Sequence, residues 1–123
     1  DTMNLLEALE INQELLSKTE VRLTMPIKPK HLQPYGLLHG GLNAVLAESA
    51  ASLGANLYCQ PDQFPVGLDI TTHHLKAAQA GKTLSVIASP LSLGRTIHVW
   101  QAKTYLDQTI TSFSTITLKI NRK

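Results

Sequence analysis

The stretch His39-Gly40-Gly41-Leu42-Asn43-Ala44-Val45-Leu46-Ala47-Glu48-Ser49-Ala50-Ala51-Ser52 decides how this chain folds. It is rich in Ala and Leu, free of proline and opened by two glycines, which predicts one long helix over residues 40–58. Apolar residues fall nearly all round that helix, the pattern of a segment enclosed by the rest of its domain. Glu48 breaks the pattern, and it is the single carboxylate between Glu20 and Asp62. An ionised carboxylate in apolar surroundings costs on the order of several kcal/mol unless it is solvated, paired or used. Desolvation would also raise its pKa toward neutrality, where a carboxylate becomes an effective base. The helix contains no Lys or Arg to pair with it. Glu48 is therefore expected to be a catalytic group.

On the N-terminal side of the helix, Leu5, Leu6 and Leu9 are spaced as in a short helical turn. Residues 11–16 and 19–25 could pair as a hairpin around Ser17-Lys18, with Val21, Leu23 and Met25 alternating with Arg22 and Thr24. Pro26 stops the second strand, and residues 28–38, carrying Pro34 and Gly36, read as an irregular loop. Beyond the helix, residues 64–76, 82–90, 96–106 and 110–120 read as four strands separated by turns at Gly81, at Ser92-Leu93-Gly94 and at Asp107-Gln108. One long helix followed by a run of antiparallel strands is an α+β pattern, a sheet wrapped around one buried helix. Such a sheet leaves one face uncovered, and pairing of subunits would cover it.

Composition narrows the function. A chain of 123 residues with 43% apolar and 16% charged residues suits a single globular core, so residues 1–123 are expected to form one domain. No apolar run approaches the length needed to span a membrane, and no secretory leader is visible. The lone Cys59 cannot make an internal disulfide and fits a reducing cytoplasm. A net charge of +2, with no basic run among aromatics, argues against a nucleic-acid surface. Residues 63–106 do carry Lys76, Lys82, Arg95 and Lys103 against Asp69 alone. That local excess suits either solvated strand edges or a polyanionic small ligand.

Gln33-Pro34-Tyr35-Gly36-Leu37-Leu38-His39-Gly40-Gly41, followed by Glu48 and Ser52, resembles the hotdog-fold acyl-CoA thioesterases, and among them the branch acting on aromatic acyl groups such as 4-hydroxybenzoyl or 1,4-dihydroxy-2-naphthoyl. The resemblance implies an α+β hotdog fold and hydrolysis of an acyl-CoA thioester. It also implies a homodimer or homotetramer with its active sites between subunits. No metal or redox cofactor is expected, because CoA arrives as part of the substrate and a thioester is already activated. By resemblance, the N–H of Gly40 holds the thioester oxygen, Glu48 is nucleophile or general base, and Gln33 and His39 contact the carbonyl region and hold the loop. Ser52, one turn beyond Glu48 on the same helix face, would orient the carboxylate or the attacking water. Residues 67–76 match the family's strand after the helix, so Gly67, His74 and Lys76 are expected to meet the acyl-CoA, His74 across the dimer interface. His73, adjacent on the strand, points to the opposite face, which excludes joint metal binding by the two. Ser92, Gly94 and Arg95 fall in a turn expected to contact the pantetheine and phosphates of CoA.

Two other readings use different chemistry. A hotdog dehydratase or hydratase on acyl thioesters is usually marked by His-Phe-Pro, which this chain lacks. A non-catalytic acyl-CoA binding module would leave Glu48 without a role. Metal-ligand spacing of the His-Glu-x-x-His type, a Gly-x-Ser-x-Gly elbow and a phosphate-binding glycine loop are all absent from the sequence.

Overall fold

A computed structural model describes residues 3–123. Its first helix, α1 (Leu5–Ala8), is closed at its start by a reciprocal cap: the Asn4 side chain accepts from the Glu7 N–H at 2.9 Å, and the Asn4 N–H donates to the Glu7 carboxylate at 3.2 Å. Strands β1 (Asn12–Leu16) and β2 (Val21–Pro26) then form the expected hairpin. Its turn is held by Ser17, whose hydroxyl donates to the Glu20 carbonyl at 2.9 Å and accepts from the Glu20 N–H at 3.0 Å. Val21, Leu23 and Met25 are buried and Arg22 is exposed, the period-two alternation of a strand with one inward face.

The long helix α2 (Gly41–Asn56) follows, then β3 (Gln63–His74), β4 (Thr83–Leu93), β5 (Ile97–Leu106) and β6 (Thr109–Arg122). All six strands form one antiparallel sheet in the order β1-β2-β4-β5-β6-β3. The chain thus leaves β2, runs through α2 across the sheet, and places β3 at the far edge. The sheet's inner face meets α2 through residues such as Leu84, Val86, Trp100, Ile116 and Leu118, all fully buried. The alanines of α2 let the helix axis come close to the sheet. Gly54 shows how close the fit is, because an added Cβ there would run into the Trp100 ring.

The helix is less enclosed than its composition predicts. Residues 43, 46, 47, 50, 51, 54 and 55 are buried, at helical spacing, but the face carrying Ala44, Val45, Glu48, Ser49 and Ser52 is only half-buried. Hydrophobicity is spread round the helix; burial within one chain is not. Among the described residues, no helix is long and apolar enough to cross a membrane.

The loop before α2 is more ordered than its prolines and glycine suggest. A 3₁₀ turn (Pro29–His31) is pinned by the buried His31, whose Nδ1 accepts from the Lys28 N–H and whose Nε2 meets the Leu9 carbonyl, each at 2.9 Å. Lys28 and Lys30 both reach the Glu10 carboxylate, at 2.5 and 2.7 Å, and hold its pKa down at about 2 against an ordinary 4.5. Cys59 sits partly buried just past α2, its thiol pKa pushed up by burial, near the Ala55 carbonyl at 3.7 Å.

Candidate active site

The entrance to α2 is organised by its own loop. Gln33 stays at the base of the Pro34-Tyr35-Gly36 turn: its N–H donates to the Leu37 carbonyl at 2.8 Å and its side-chain oxygen accepts from the Tyr35 N–H. Gly36 adopts φ of 86°, which a glycine reaches without strain. His39 turns back over the helix start and its Nδ1 accepts the Gly41 N–H at 3.0 Å. The next N–H groups are also engaged, Leu42 by the His39 carbonyl and Asn43 by the Gly40 carbonyl, each at 3.0 Å. Among the described residues, no acceptor engages the N–H of Gly40. Of the two glycines, Gly40 therefore keeps an open donor at the positive end of the helix.

Gly40 lines a cavity of about 280 Å³ together with Gln33, Asn43, His74 and Lys76. His74 ends β3 and lies against the start of α2 in the same chain: a Cβ added at Gly40 would sit 3.0 Å from its ring. Its Nδ1 is 3.1 Å from the Asn43 amide nitrogen. His73 points to the other face, where its ring stacks on Phe113 with centroids 6.4 Å apart.

Glu48 lies in a second cavity, of about 480 Å³, with Ser49, Ser52, Asn56, Val66 and Gly67. It is half-buried and takes part in none of the ion pairs found among the described residues. The carboxylate points at Gly67, where the β3–β6 register slips: Gly67 faces Leu118 and Asp69 faces Thr117. Any side chain at position 67 would collide with the Glu48 carboxylate, so the bulge and the missing Cβ together make its room. Gly67 thus meets Glu48 directly.

Glu48 and Gly40 do not meet within one chain. Eight residues along an α-helix correspond to a rise of about 12 Å, too far for both to touch one carbonyl group. The residues read from the sequence fall into two groups, Gln33, His39, Gly40, His74 and Lys76 at the helix start and Glu48, Ser52 and Gly67 at its middle.

The turn after β4 forms a third group. Gly94 and Arg95 line a cavity of about 530 Å³ with Tyr58, Leu93, His98 and Arg122, at the opposite end of α2 from Gly40, while Ser92 is exposed on β4 beside a bulge. Arg122 is paired with Asp62 at 2.6 Å, whereas Arg95 takes part in no ion pair among the described residues. His98 and Trp100 are buried and bonded to each other, Trp100 Nε1 donating to His98 Nδ1 at 3.4 Å, and burial lowers the His98 pKa. Asn43, Ser49 and Thr104 are site-lining or site-supporting groups that sequence reading passed over. Asn43 could have been noticed as an amide in the first turn of an apolar helix; Thr104 gave no local signal.

Residues 35–112 match the profile of the thioesterase superfamily. A relative from Haemophilus influenzae is 42% identical over 81 residues, covering 66% of this chain, and the chain spans only 58% of that relative's length. The 1,4-dihydroxy-2-naphthoyl-CoA hydrolase of Escherichia coli is 37% identical over 102 residues, or 83% of this chain and 74% of that one. A crystal structure of a Haemophilus influenzae thioesterase superposes with a TM-score of 0.87 at 30% identity, covering 99% of this chain and 93% of that one.

Proposed function

The chain belongs to the thioesterase superfamily and has its hotdog fold, and from that premise we propose that it hydrolyses acyl-CoA thioesters at a site completed by a second copy of itself. The observation that carries this reading is the separation of an unpaired carboxylate, Glu48, from an open N–H donor, Gly40, in two cavities about 12 Å apart along one helix. Hydrolysis needs both groups on the same carbonyl, so each subunit supplies half. The β3 edge supports such pairing: among the described residues it has no strand partner on its outer side, and Phe64, Val66 and Leu68 are 37%, 41% and 56% exposed there. The half-buried Ala44 and Val45 on α2 support it as well. A two-fold axis beside β3 and perpendicular to α2 sets the two long helices antiparallel, which carries the start of one toward the middle of the other. A homodimer is the smallest assembly that does this, and a homotetramer of two such pairs is compatible with it.

The chemistry is then short. Glu48 removes a proton from water as the oxygen attacks the thioester carbon, or attacks that carbon itself to give an anhydride that water opens. The carbonyl electron pair moves onto oxygen, where the Gly40 N–H of the other subunit stabilises it. Collapse expels the CoA sulfur. On the general-base route it leaves as the thiol with the proton Glu48 took from water. On the anhydride route it leaves as the thiolate, which takes a proton from solvent before water opens the anhydride. Either way the acyl group leaves as the free acid. Ser52, one turn from Glu48 in the same cavity, orients the carboxylate or the water. His74 and Lys76 face the acyl-CoA from the helix-start half, and Arg95 meets a CoA phosphate. No metal or redox group is required, and a cytoplasmic location is part of the same proposal.

For the acyl group, the proposal is an aromatic one, with 1,4-dihydroxy-2-naphthoyl-CoA of quinone biosynthesis first and benzoyl-, hydroxybenzoyl- or phenylacetyl-CoA next. The support is likeness to the Escherichia coli hydrolase of that name. Thiol release measured over aromatic and aliphatic CoA esters tests the substrate. Glu48→Gln tests the chemistry: it should keep the fold and lower turnover roughly 10²–10⁴-fold, the scale of losing a positioned base. Wild-type turnover in that variant would remove Glu48 from the mechanism.

A further inference from the structure

The helix-start cavity is backed by a polar chain that the proposed reaction does not itself call for, of which Asn43 and His74 line the cavity. Asn43, in the first turn of α2, is only 4% exposed, and both ends of its amide are engaged. Its oxygen accepts the Thr104 hydroxyl at 3.4 Å. Thr104 is buried on β5 and is itself hydrogen-bonded to Thr111 at 2.7 Å and Ser112 at 2.5 Å, both buried on β6. Those two hydroxyls can supply protons to the Thr104 oxygen, which frees the Thr104 proton for Asn43. The Asn43 nitrogen is left to face His74 Nδ1 at 3.1 Å. An amide nitrogen only donates, so Nδ1 must accept, and a neutral imidazole that accepts at Nδ1 carries its proton on Nε2.

The ring's other side decides where that proton points. A Cβ built at Gly40 would lie 3.0 Å from His74 Cε1 and 3.2 Å from Nε2, so Nε2 lies beside Gly40, in the cavity they share. We propose that Asn43, anchored by Thr104, is a positioning residue that locks His74 in the Nε2–H form and aims that proton beside the open N–H of Gly40. Two donors then converge from one subunit on a single acceptor oxygen of the bound acyl-CoA. One donor comes from the backbone and one from a side chain whose tautomer is set 31 residues away in sequence. The identity of that acceptor rests on the thioesterase reading; the tautomer does not.

The test begins without substrate. Long-range nitrogen–proton NMR on histidine-labelled, ligand-free protein, with His74 identified by loss of its signals in His74→Gln, reports which ring nitrogen carries the proton. Above the pH at which the ring becomes neutral, the wild type should show a protonated Nε2 and a bare Nδ1. In Asn43→Asp a carboxylate accepts where the amide donated, so Nδ1 should become protonated. Thr104→Val, of equal shape without the hydroxyl, should give a mixture of the two forms, and Thr104→Ser should restore the wild-type pattern. With an acyl-CoA that the wild type cleaves, Asn43→Asp should lower kcat on the order of 10²-fold, the scale of one lost oxyanion donor. Thr104→Ser should keep it. A wild-type His74 protonated on Nδ1, or a tautomer unchanged in Asn43→Asp, would overturn the proposal. Failure of the thioesterase reading looks different: no acyl-CoA is cleaved, yet the NMR pattern stands.

Discussion

Gly40 and Gly41 stand side by side in the sequence, yet only one of them keeps an open N–H. His39 takes the Gly41 N–H with its own ring, so the donor left for a ligand is that of Gly40. The backbone at Gly40 (φ −58°, ψ −29°) is one that proline tolerates, which allows a paired test. Gly40→Ala and Gly40→Pro both add carbon against the His74 ring, but only proline deletes the N–H. Gly40→Pro should therefore lose roughly 10²–10³-fold more turnover than Gly40→Ala, with melting of both variants measured to confirm that they fold. Equal losses would mean that the cost lies in the push on His74 and not in the N–H. Glu48 was readable at this scale because a carboxylate stands out in an apolar helix; the company it keeps was not, since Gly67 reaches it only through a strand bulge.

Among the elements, the loop before α2 shows how a segment without regular structure is fixed. Glu10, at φ of 61° between α1 and β1, binds Lys28 and Lys30 and so ties the N-terminal turn to that loop. Its pKa of about 2 lies below its ordinary 4.5, first because of the hydrogen bonds from Lys28 and Lys30. A depressed acid favours the folded state above its unfolded pKa, and that contribution is lost as pH falls from about 4.5 toward about 2. Urea unfolding should show Glu10→Gln less stable than the wild type near neutral pH, and the gap should narrow as pH falls below about 4.5 and close as it passes through about 2. Because these groups are exposed, added salt should narrow the gap as well. A gap independent of both pH and salt would assign the effect to something other than these ion pairs. In α2 the sequence pattern overstated enclosure: Ala44 and Val45 are apolar but half-buried, because one sheet covers only one side of a helix.

For the whole molecule, the division of the proposed site between two chains has a consequence that mixing can reveal. A dimer built from one Glu48→Gln chain and one Gly40→Pro chain contains one doubly damaged site and one site with both groups intact. After subunit exchange, a mixture of the two inactive variants should recover about a quarter of wild-type activity, given random pairing of a two-fold dimer. A site formed within one chain would recover none. Local sequence was enough for the parts. Period-two alternation gave Val21, Leu23 and Met25 an inward face, an Ala- and Leu-rich run free of proline made α2, and Glu48 was conspicuous within it. These are properties of neighbours along the chain, and the 2.0 and 3.6 residue periods express them directly. Tertiary structure alone decided which distant groups touch, because that follows from sheet order. With β3 carried to the far edge, His74 comes to the Asn43 nitrogen and Gly67 to Glu48, while Thr104 on β5 meets the Asn43 oxygen. The span between Gly40 and Glu48, by contrast, is a local property, eight residues of one helix and so about 12 Å; which distant groups meet each of them was left to the packing of the sheet.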